Sequence, residues 1–298
     1  MTLPFRPETL AAPAFVLFWS TGFIGAKYGL PYAEPATFLV LRFALASALL
    51  GAWVVLARAP WPSPVQMRDA ALVGVLLHAV YLGGVYQAIA LGTEAWVSAL
   101  IVGLHPVLTA LIARRYLAER LGALQWTGIA LGFLGVGLVV ARKLDAGLGD
   151  WRGVALCLGS LVAISVASIV QKARAGDHPV RSSTLVQFLA AFAVLVPVAL
   201  VFESREVQWT GTFALALGWL VVVLSLGALS LLLYMIRRGA ASLVASLFFL
   251  VPPMTALMAW AIFGERMGPV EMAGVAATAV GVLMVNRPEL FAPGLSRG

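Results

Sequence analysis

Apolar residues along the chain fall into ten runs of about 18–24 residues, separated by short polar or turn-forming stretches. Proline and glycine mark several boundaries, as at residues 31–35, 60–64 and 264–269. Because an α-helix rises about 1.5 Å per residue, some 20 residues span the roughly 30 Å hydrocarbon core of a bilayer. The pattern therefore predicts ten transmembrane helices, at residues 13–30, 36–57, 70–91, 95–113, 122–141, 153–171, 182–202, 211–234, 240–263 and 268–286.

Composition supports lipid as the natural solvent of this chain. Hydrophobic residues make up 61% of the sequence and charged residues 11%, with a mean hydropathy of +0.97. A soluble domain carries about 25% charged residues. Backbone groups in lipid must bond within their own segment, and the alternating pattern of a membrane barrel is absent. The fold class predicted is an all-α membrane protein.

The distribution of basic residues predicts the orientation of the helices. With the N-terminus inside, the inner segments hold 13 lysines and arginines and the outer segments hold five. Cytoplasmic loops carry such an excess, so both termini are expected in the cytoplasm. The net charge of +7 is spread one to three residues at a time between apolar runs, which argues against nucleic acid as a partner.

Two stretches of the chain repeat one another 146 residues apart. Residues 105–120 read HPVLTALIARRYLAER and residues 251–266 read VPPMTALMAWAIFGER, with seven of sixteen columns identical. Extended over residues 95–141, the same offset matches 16 of 47 columns without a gap. Upstream, a weaker echo at an offset of 145 pairs Lys27 with Lys172 and Phe43 with Phe188.

The repeat divides the chain into two five-helix units, residues 1–145 and 146–298. Since five is odd, the second unit enters the membrane upside down relative to the first. Inverted repeats are a design of secondary transporters, in which the substrate site lies near the midplane at the repeat interface. The sequence thus predicts two inverted five-helix repeats and transport by alternating access.

Several short motifs resemble those of one transporter family. They are FWSTGFIGAK at 18–27, LRF at 41–43, and a P-x-x-T-A-L…E-R pattern followed by G-x5-G in each half. In this order and duplicated, they are similar to the drug/metabolite transporter superfamily, in its ten-helix EamA-type branch. The resemblance covers nearly the whole chain. It implies export of small metabolites, most of all amino acids including aromatic and neutral ones, across a bacterial inner membrane.

Polar and aromatic groups inside the predicted helices are the candidate substrate ligands, because such groups are costly in a membrane. His78 and Tyr81 share a face of helix 3, and a tryptophan at mid-helix, Trp19, can stack on an aromatic or cationic solute. The candidates are Trp19, His78, Tyr81, Tyr86, Ser98, His105, Ser168 and Ser246. The alternative for each is ordinary helix packing, and for His105 a hydrogen bond near the proline that follows it.

Five residues in the repeated stretches are candidate gating elements. Pro106, Pro252 and Pro253 remove helical hydrogen bonds and are expected bending points of helices 4 and 9. Glu119 and Glu265 end these helices on opposite faces of the membrane, where each can latch one mouth of a cavity. A packed kink without motion and ordinary helix-terminal charge are the alternatives.

Other functions find less support in the sequence. A membrane enzyme needs a catalytic constellation, and no metal-spaced histidines, serine-nucleophile motif or acidic pair is present. One cysteine, Cys157, excludes a disulfide framework and a Cys/His metal cluster, and no cofactor is expected. The expected partners are a small-molecule substrate and the lipid bilayer. Export of cationic drugs or other metabolites stays open, as does a non-transporting scaffold, though the loops offer such a scaffold little surface.

Arginine content bears on the class of substrate. A nucleotide sugar or phosphate requires several cavity arginines, and only Arg42 lies within the helices. Arg42 is predicted to be either a structural residue or a contact for a substrate carboxylate. Zwitterionic or apolar solutes are therefore favoured over multiply charged anions.

Overall fold

Ten helical segments appear in the structure, a computed structural model that describes residues 7–116, 121–145, 150–174, 179–228, 230–231, 235 and 247–291. Each corresponds to one of the predicted apolar runs. Their bounds are α1 Pro7–Gly29, α2 Pro35–Leu56, α3 Pro64–Ala90, α4 Ala95–Tyr116, α5 Ala123–Asp145, α6 Trp151–Arg174, α7 Val180–Phe202, α8 Gly211–Ala228, α9 Phe248–Phe263 and α10 Pro269–Asn286.

Local sequence explains where several helices start and stop. Proline occupies the first turn of α2, α3 and α10, where its missing N–H costs nothing. Ser63 and Gln66 form a reciprocal capping box at the start of α3. Gly264 ends α9 with a φ of +67°, a left-handed conformation that glycine adopts without strain.

The outer surface of the helices is apolar, as a membrane protein requires. Eight of the helices described are long and apolar enough to cross a membrane, and α1, with 23 residues, and the shorter α9 complete the set. Large side chains such as Leu134 and Phe202 are more than two-thirds exposed. A patch of this kind is unfavourable in water and favourable against lipid tails. The predicted all-α membrane fold is confirmed.

Helix packing follows a two-fold pattern that matches the sequence repeat. Helices α2, α4 and α5 each pack on their own counterparts, α7, α9 and α10. The contact of α1 with α9 is mirrored by that of α6 with α4, and the contact of α1 with α8 by that of α6 with α3. The ten helices thus form two inverted five-helix repeats, as predicted.

Irregular helix turns also recur at equivalent positions. A π-helical segment interrupts α3 at Val75–Val80, and a second occupies Leu220–Ala228 in the described part of α8. Their first residues are 145 positions apart, which is the upstream offset of the sequence repeat. Such segments leave backbone carbonyls displaced from the regular ladder and are frequent at functional sites.

Four glycines allow α5 and α10 to touch through their backbones. A Cβ atom added to Gly128 would lie 2.7 Å from the Gly281 carbonyl oxygen, and one added to Gly135 would lie 2.5 Å from that of Gly274. Gly128 and Gly274 are repeat equivalents, as are Gly135 and Gly281. The contact is therefore the same contact made twice around the two-fold axis, and it explains the repeated glycines.

We expect Gly135→Ala to lower the stability of the protein by about 1–3 kcal/mol, because the new methyl group overpacks the α5–α10 contact. Gly137→Ala is the matched control, since Gly137 is exposed and an added Cβ meets nothing within 4 Å. This control is expected to be neutral or stabilising by up to about 1 kcal/mol. Thermal unfolding midpoints in detergent measure both. Equal unfolding midpoints for the two variants would show that the close α5–α10 contact does not contribute to the stability of the protein.

Candidate functional site

A cavity of about 470 Å³ lies between the two repeats. Helices α1, α2 and α3 of the first repeat and α6, α7 and α8 of the second line it. This volume is within the usual range of small-molecule sites, about 300–1,000 Å³. Both irregular turns face the cavity, through Leu77 and His78 of α3 and Leu224 and Ser225 of α8.

Five of the eight predicted ligands line this cavity. They are Trp19, His78, Tyr81, Tyr86 and Ser168. Apolar residues such as Phe23, Leu82 and Val85 make up much of the remaining wall. The sequence reasoning thus found the aromatic and hydroxyl part of the wall, and it did so from residue types that are unusual in the middle of membrane helices.

Arg42 is the buried cation of the cavity. It is only 6% exposed, and its guanidinium donates to the Tyr86 hydroxyl at 3.1 Å and to Ser225 Oγ at 3.2 Å. From the sequence, Arg42 was expected to be either a structural residue or a contact for a substrate carboxylate. The structure places it in the wall, with two hydroxyl groups holding it toward the cavity.

The contact between α2 and α7 lies on the two-fold axis beside Arg42. Phe43 and Phe188, which are repeat equivalents, meet there with ring centroids 5.5 Å apart. The imidazole of His78 packs against both rings, at 5.4 and 5.0 Å, and has the Gln187 side chain as a hydrogen-bonding neighbour. Gln187 is the repeat equivalent of Arg42 and was missed, although the 145-residue offset identifies it.

Trp19 joins the cavity to an aromatic cluster behind it. Its ring packs against Phe15 at 5.3 Å and edge-on against Phe248 at 5.2 Å. His105 packs on the far side of this cluster, edge-on to Phe248 at 4.8 Å, and does not line the cavity. Its predicted role as a ligand stays a prediction that the cavity does not support, and its hydrogen bond to the Val102 backbone matches the packing alternative.

The two remaining predicted ligands lie elsewhere. Ser98 is fully buried in α4, close to the Cys157 thiol of α6, and it does not line the cavity. This placement fits helix packing. Ser246 lies outside the residues that the structure describes.

One end of the cavity, which we call the open end, reaches the region where α3 and α7 begin and α6 ends. Asp69 and Arg174 form an ion pair there at 2.9 Å, and the Arg174 side chain is 50% exposed. Lys172 also lines the open end. Asp69 was not among the predicted ligands; it lies just before the apolar run predicted for the third helix, residues 70–91.

At the opposite end of the molecule, which we call the sealed end, polar contacts join helices of the two repeats. The Lys27 side chain of α1 forms an ion pair with Glu265, just beyond α9. The same carboxylate accepts a hydrogen bond from the Ala95 backbone N–H at 3.3 Å, at the start of α4. Glu265 therefore ties three helices together, whereas its predicted counterpart Glu119 lies outside the described residues.

Further contacts reinforce the sealed end. Lys143 and Glu94 form a second ion pair at 2.6 Å. The Glu203 carboxylate accepts hydrogen bonds from the first two N–H groups at the start of α2, each at 2.7 Å. Glu34 accepts from the Ser204 hydroxyl and backbone N–H, and the hydroxyl hydrogen bond holds the pKa of Glu34 below its usual value. An isolated bridge between Ala33 and Val207 joins the same loops.

The predicted bending points lie at breaks in the helices. Helix α4 turns at Gly103 and resumes at His105, so Pro106 stands in the first turn of its second half. Pro252 and Pro253 likewise follow a 3-10 turn at the start of α9. A Cβ on Gly103 would lie 2.7 Å from Pro252 Cγ, so the two breaks pack against each other.

Comparison with known proteins agrees with this architecture. A family model for EamA-like transporters matches the chain twice, over residues 8–141 and 151–287. The chain belongs to the EamA-like transporter family. The resemblance drawn from the sequence motifs is confirmed, and a small-molecule substrate and a surrounding bilayer follow from membership of this transporter family.

Relatives of this EamA-like transporter extend over nearly its whole length. An Escherichia coli (strain K12) protein described as the uncharacterized inner membrane transporter YedA is 24% identical over 94% of this chain and 90% of its own length. The uncharacterized transporter YvbV of Bacillus subtilis (strain 168) is 26% identical over 95% and 93%. A solved crystal structure, 20% identical, superposes with a TM-score of 0.67 over 97% of this chain and 98% of that one, which supports the fold.

We expect a cysteine at Ser168 to react with a hydrophilic maleimide and a cysteine at Ser98 to stay unlabelled. Ser168 lines the cavity, whereas Ser98 is fully buried, and a thiol reacts only where reagent reaches it. The background for both is Cys157→Ser, which removes the only cysteine of the chain. Labelling of folded protein is followed by mass spectrometry. Equal labelling at both positions would contradict the placement of the cavity.

Proposed function

We propose that this transporter exports small metabolites, above all amino acids, from the cytoplasm by alternating access. The observation that carries the proposal is the cavity between two inverted repeats, open toward one end of the molecule and closed by polar contacts at the other. A cavity that both repeats build can change its opening when the units 1–145 and 146–298 exchange their packing. The arrangement corresponds to one of the two states that such a cycle requires.

The direction of export rests on the charges at the open end. Arg58, Arg68 and Arg174 lie there, and the excess of basic residues in the inner segments supports a cytoplasmic location for this end. Both termini are then cytoplasmic, and the membrane is a bacterial inner membrane, as the description of the Escherichia coli relative supports. A cytoplasm-facing cavity is the state from which an exporter loads its substrate.

The cavity wall supports a small zwitterionic or apolar solute. Trp19, Tyr81 and Phe23 offer aromatic surface, and His78 and Ser168 offer hydrogen bonds. A cationic drug would need a carboxylate in the wall, and Asp69 is already paired with Arg174. Cationic drugs are therefore the second candidate.

Substrate counterflow in proteoliposomes tests this function. We expect the purified protein to exchange labelled neutral or aromatic amino acids saturably, but not sugar nucleotides. Trp19→Ala and His78→Ala are expected to reduce exchange by about tenfold or more, because each removes a contact from the wall. Trp260→Ala is the matched control, since that tryptophan is 57% exposed on the outer surface.

The outcomes separate function from site. If exchange persists in both cavity variants, the transport function stands, but Trp19 and His78 are not substrate ligands. Exchange of quaternary amines instead of amino acids would favour the drug exporter. Folded protein that exchanges nothing on the panel would contradict the proposal and favour the scaffold.

Gating is proposed to depend on the Lys27–Glu265 pair and on the proline breaks. Opening the sealed end must separate α1 from α9, because Glu265 holds both together. Pro106, Pro252 and Pro253 follow the points where backbone hydrogen bonds are already missing, so these breaks can bend without breaking further bonds. Glu119 is proposed as the corresponding latch at the open end from the sequence repeat alone.

Glu265→Gln is expected to weaken the sealed end and increase access from outside. A cysteine at Gly22, in the cavity wall, would then react faster with an impermeant maleimide added to the outer face of intact cells. Glu206→Gln, an exposed carboxylate at the same end, is the control and should leave the labelling rate unchanged. If the labelling rate is the same with Glu265→Gln as with Glu265 intact, Glu265 does not act as a latch at the sealed end.

A further inference from the structure

Arg42 stands apart from the other buried cations of this transporter. Lys143, which is also buried, has the Glu94 carboxylate at 2.6 Å, and Lys27 is paired with Glu265. The described hydrogen-bond partners of Arg42 are two neutral hydroxyl groups, Tyr86 and Ser225, and its guanidinium also lies over the Phe43 ring, 5.6 Å from the ring centroid. No carboxylate among the described residues forms an ion pair with it.

An uncompensated charge inside a membrane protein is expensive, and a structural arginine there normally pairs with an opposite charge or with backbone carbonyls, neither of which is a described partner of Arg42. A guanidinium has five N–H donors in a planar fork, and Tyr86 and Ser225 account for only two. The two hydroxyls hold the fork at the cavity wall. A solute that supplies a carboxylate can accept from the remaining donors in the bidentate geometry that arginine favours.

The two-fold symmetry is broken at this position. The repeat equivalent of Arg42 is the neutral Gln187, which also lines the wall and has His78 as a hydrogen-bonding neighbour. The Phe43–Phe188 contact between them keeps the symmetry. Away from the open end, where Lys172 and Arg174 lie, the described wall therefore carries one cation, Arg42, and a single guanidinium matches one carboxylate better than a phosphate or a dianion.

We infer that Arg42 binds the carboxylate of the transported solute, and that the solute class is apolar or aromatic monocarboxylates. The inference rests on the proposed transport function and narrows it. The nearby wall is aromatic and aliphatic, from Trp19, Phe23 and Val85, and takes the body of the solute. Asp69 is held by Arg174, so the amino group contributes little to recognition. Amino acids qualify through their carboxylate, and the corresponding acids without an amino group qualify equally.

Three related compounds test this class: phenylalanine, 3-phenylpropionate, which lacks the amino group, and phenethylamine, which lacks the carboxylate. We expect both carboxylates to raise the thermal unfolding midpoint of the purified protein and to compete in counterflow. Phenethylamine should do neither. Preference for the amine over the two acids would overturn the inference even if transport is established.

Arg42→Gln is expected to weaken binding of both carboxylates by about 10- to 100-fold, the usual effect of losing a charged hydrogen-bonding partner. Arg42→Lys keeps the positive charge without the planar fork of donors. Its affinity for both carboxylates should therefore lie between those of the wild type and Arg42→Gln. Arg142→Gln is the control, since Arg142 is exposed. Carboxylate binding that persists at full strength in folded Arg42→Gln protein would overturn the assignment.

The two levels of the hypothesis fail differently. If the wild-type protein exchanges solutes but does not prefer the two carboxylates to phenethylamine, the site assignment is wrong and the transport function stands. If no solute is exchanged but 3-phenylpropionate stabilises the wild-type protein and not Arg42→Gln, the site is right and the transport function fails. Should Arg42→Gln not fold, the wild-type comparison of acids with the amine and the Arg42→Lys variant decide the assignment.

Discussion

The absence of water in the bilayer core is the constraint on which this structure depends. It requires every backbone group to bond within its own helix, so the chain crosses the membrane as ten helices and places its irregular turns against protein and the cavity. It also requires buried charges to find partners, as Lys143 finds Glu94. Against this background, the lack of a carboxylate partner for Arg42 among the described residues is a functional signal.

Duplication of one five-helix unit determines the arrangement of the parts. The contacts around the two-fold axis are symmetric: the contact of Gly135 with Gly274 is repeated by Gly281 with Gly128, and the equivalent residues Phe43 and Phe188 meet on the axis. Residues that differ between the repeats make the two halves of the cavity chemically distinct. Arg42 and Gln187 are the example, since one position carries a charge and its equivalent carries an amide. The symmetric helix contacts are consistent with two alternative packings of the repeats. The difference between Arg42 and Gln187 gives the cavity a charge on one side that can select among solutes.

Some parts of the candidate site were predictable because their residue types are costly in lipid. Trp19, His78, Tyr81, Tyr86 and Ser168 were all identified this way and all line the cavity. The same reasoning also selected Ser98 and His105, which the structure places in helix packing. Periodicity cannot distinguish these two outcomes, because a hydroxyl or imidazole that faces a neighbouring helix follows the same spacing as one that faces a cavity.

By itself, the sequence determined the number of helices, their approximate bounds, the inverted repeat and the family, because apolar run length and duplication are properties of the chain read in order. Tertiary structure decided which side of each helix meets the cavity, which carboxylate pairs with which cation, and which end is closed. Those features depend on contacts between residues far apart in the chain, such as Lys27 with Glu265, and no local pattern encodes them.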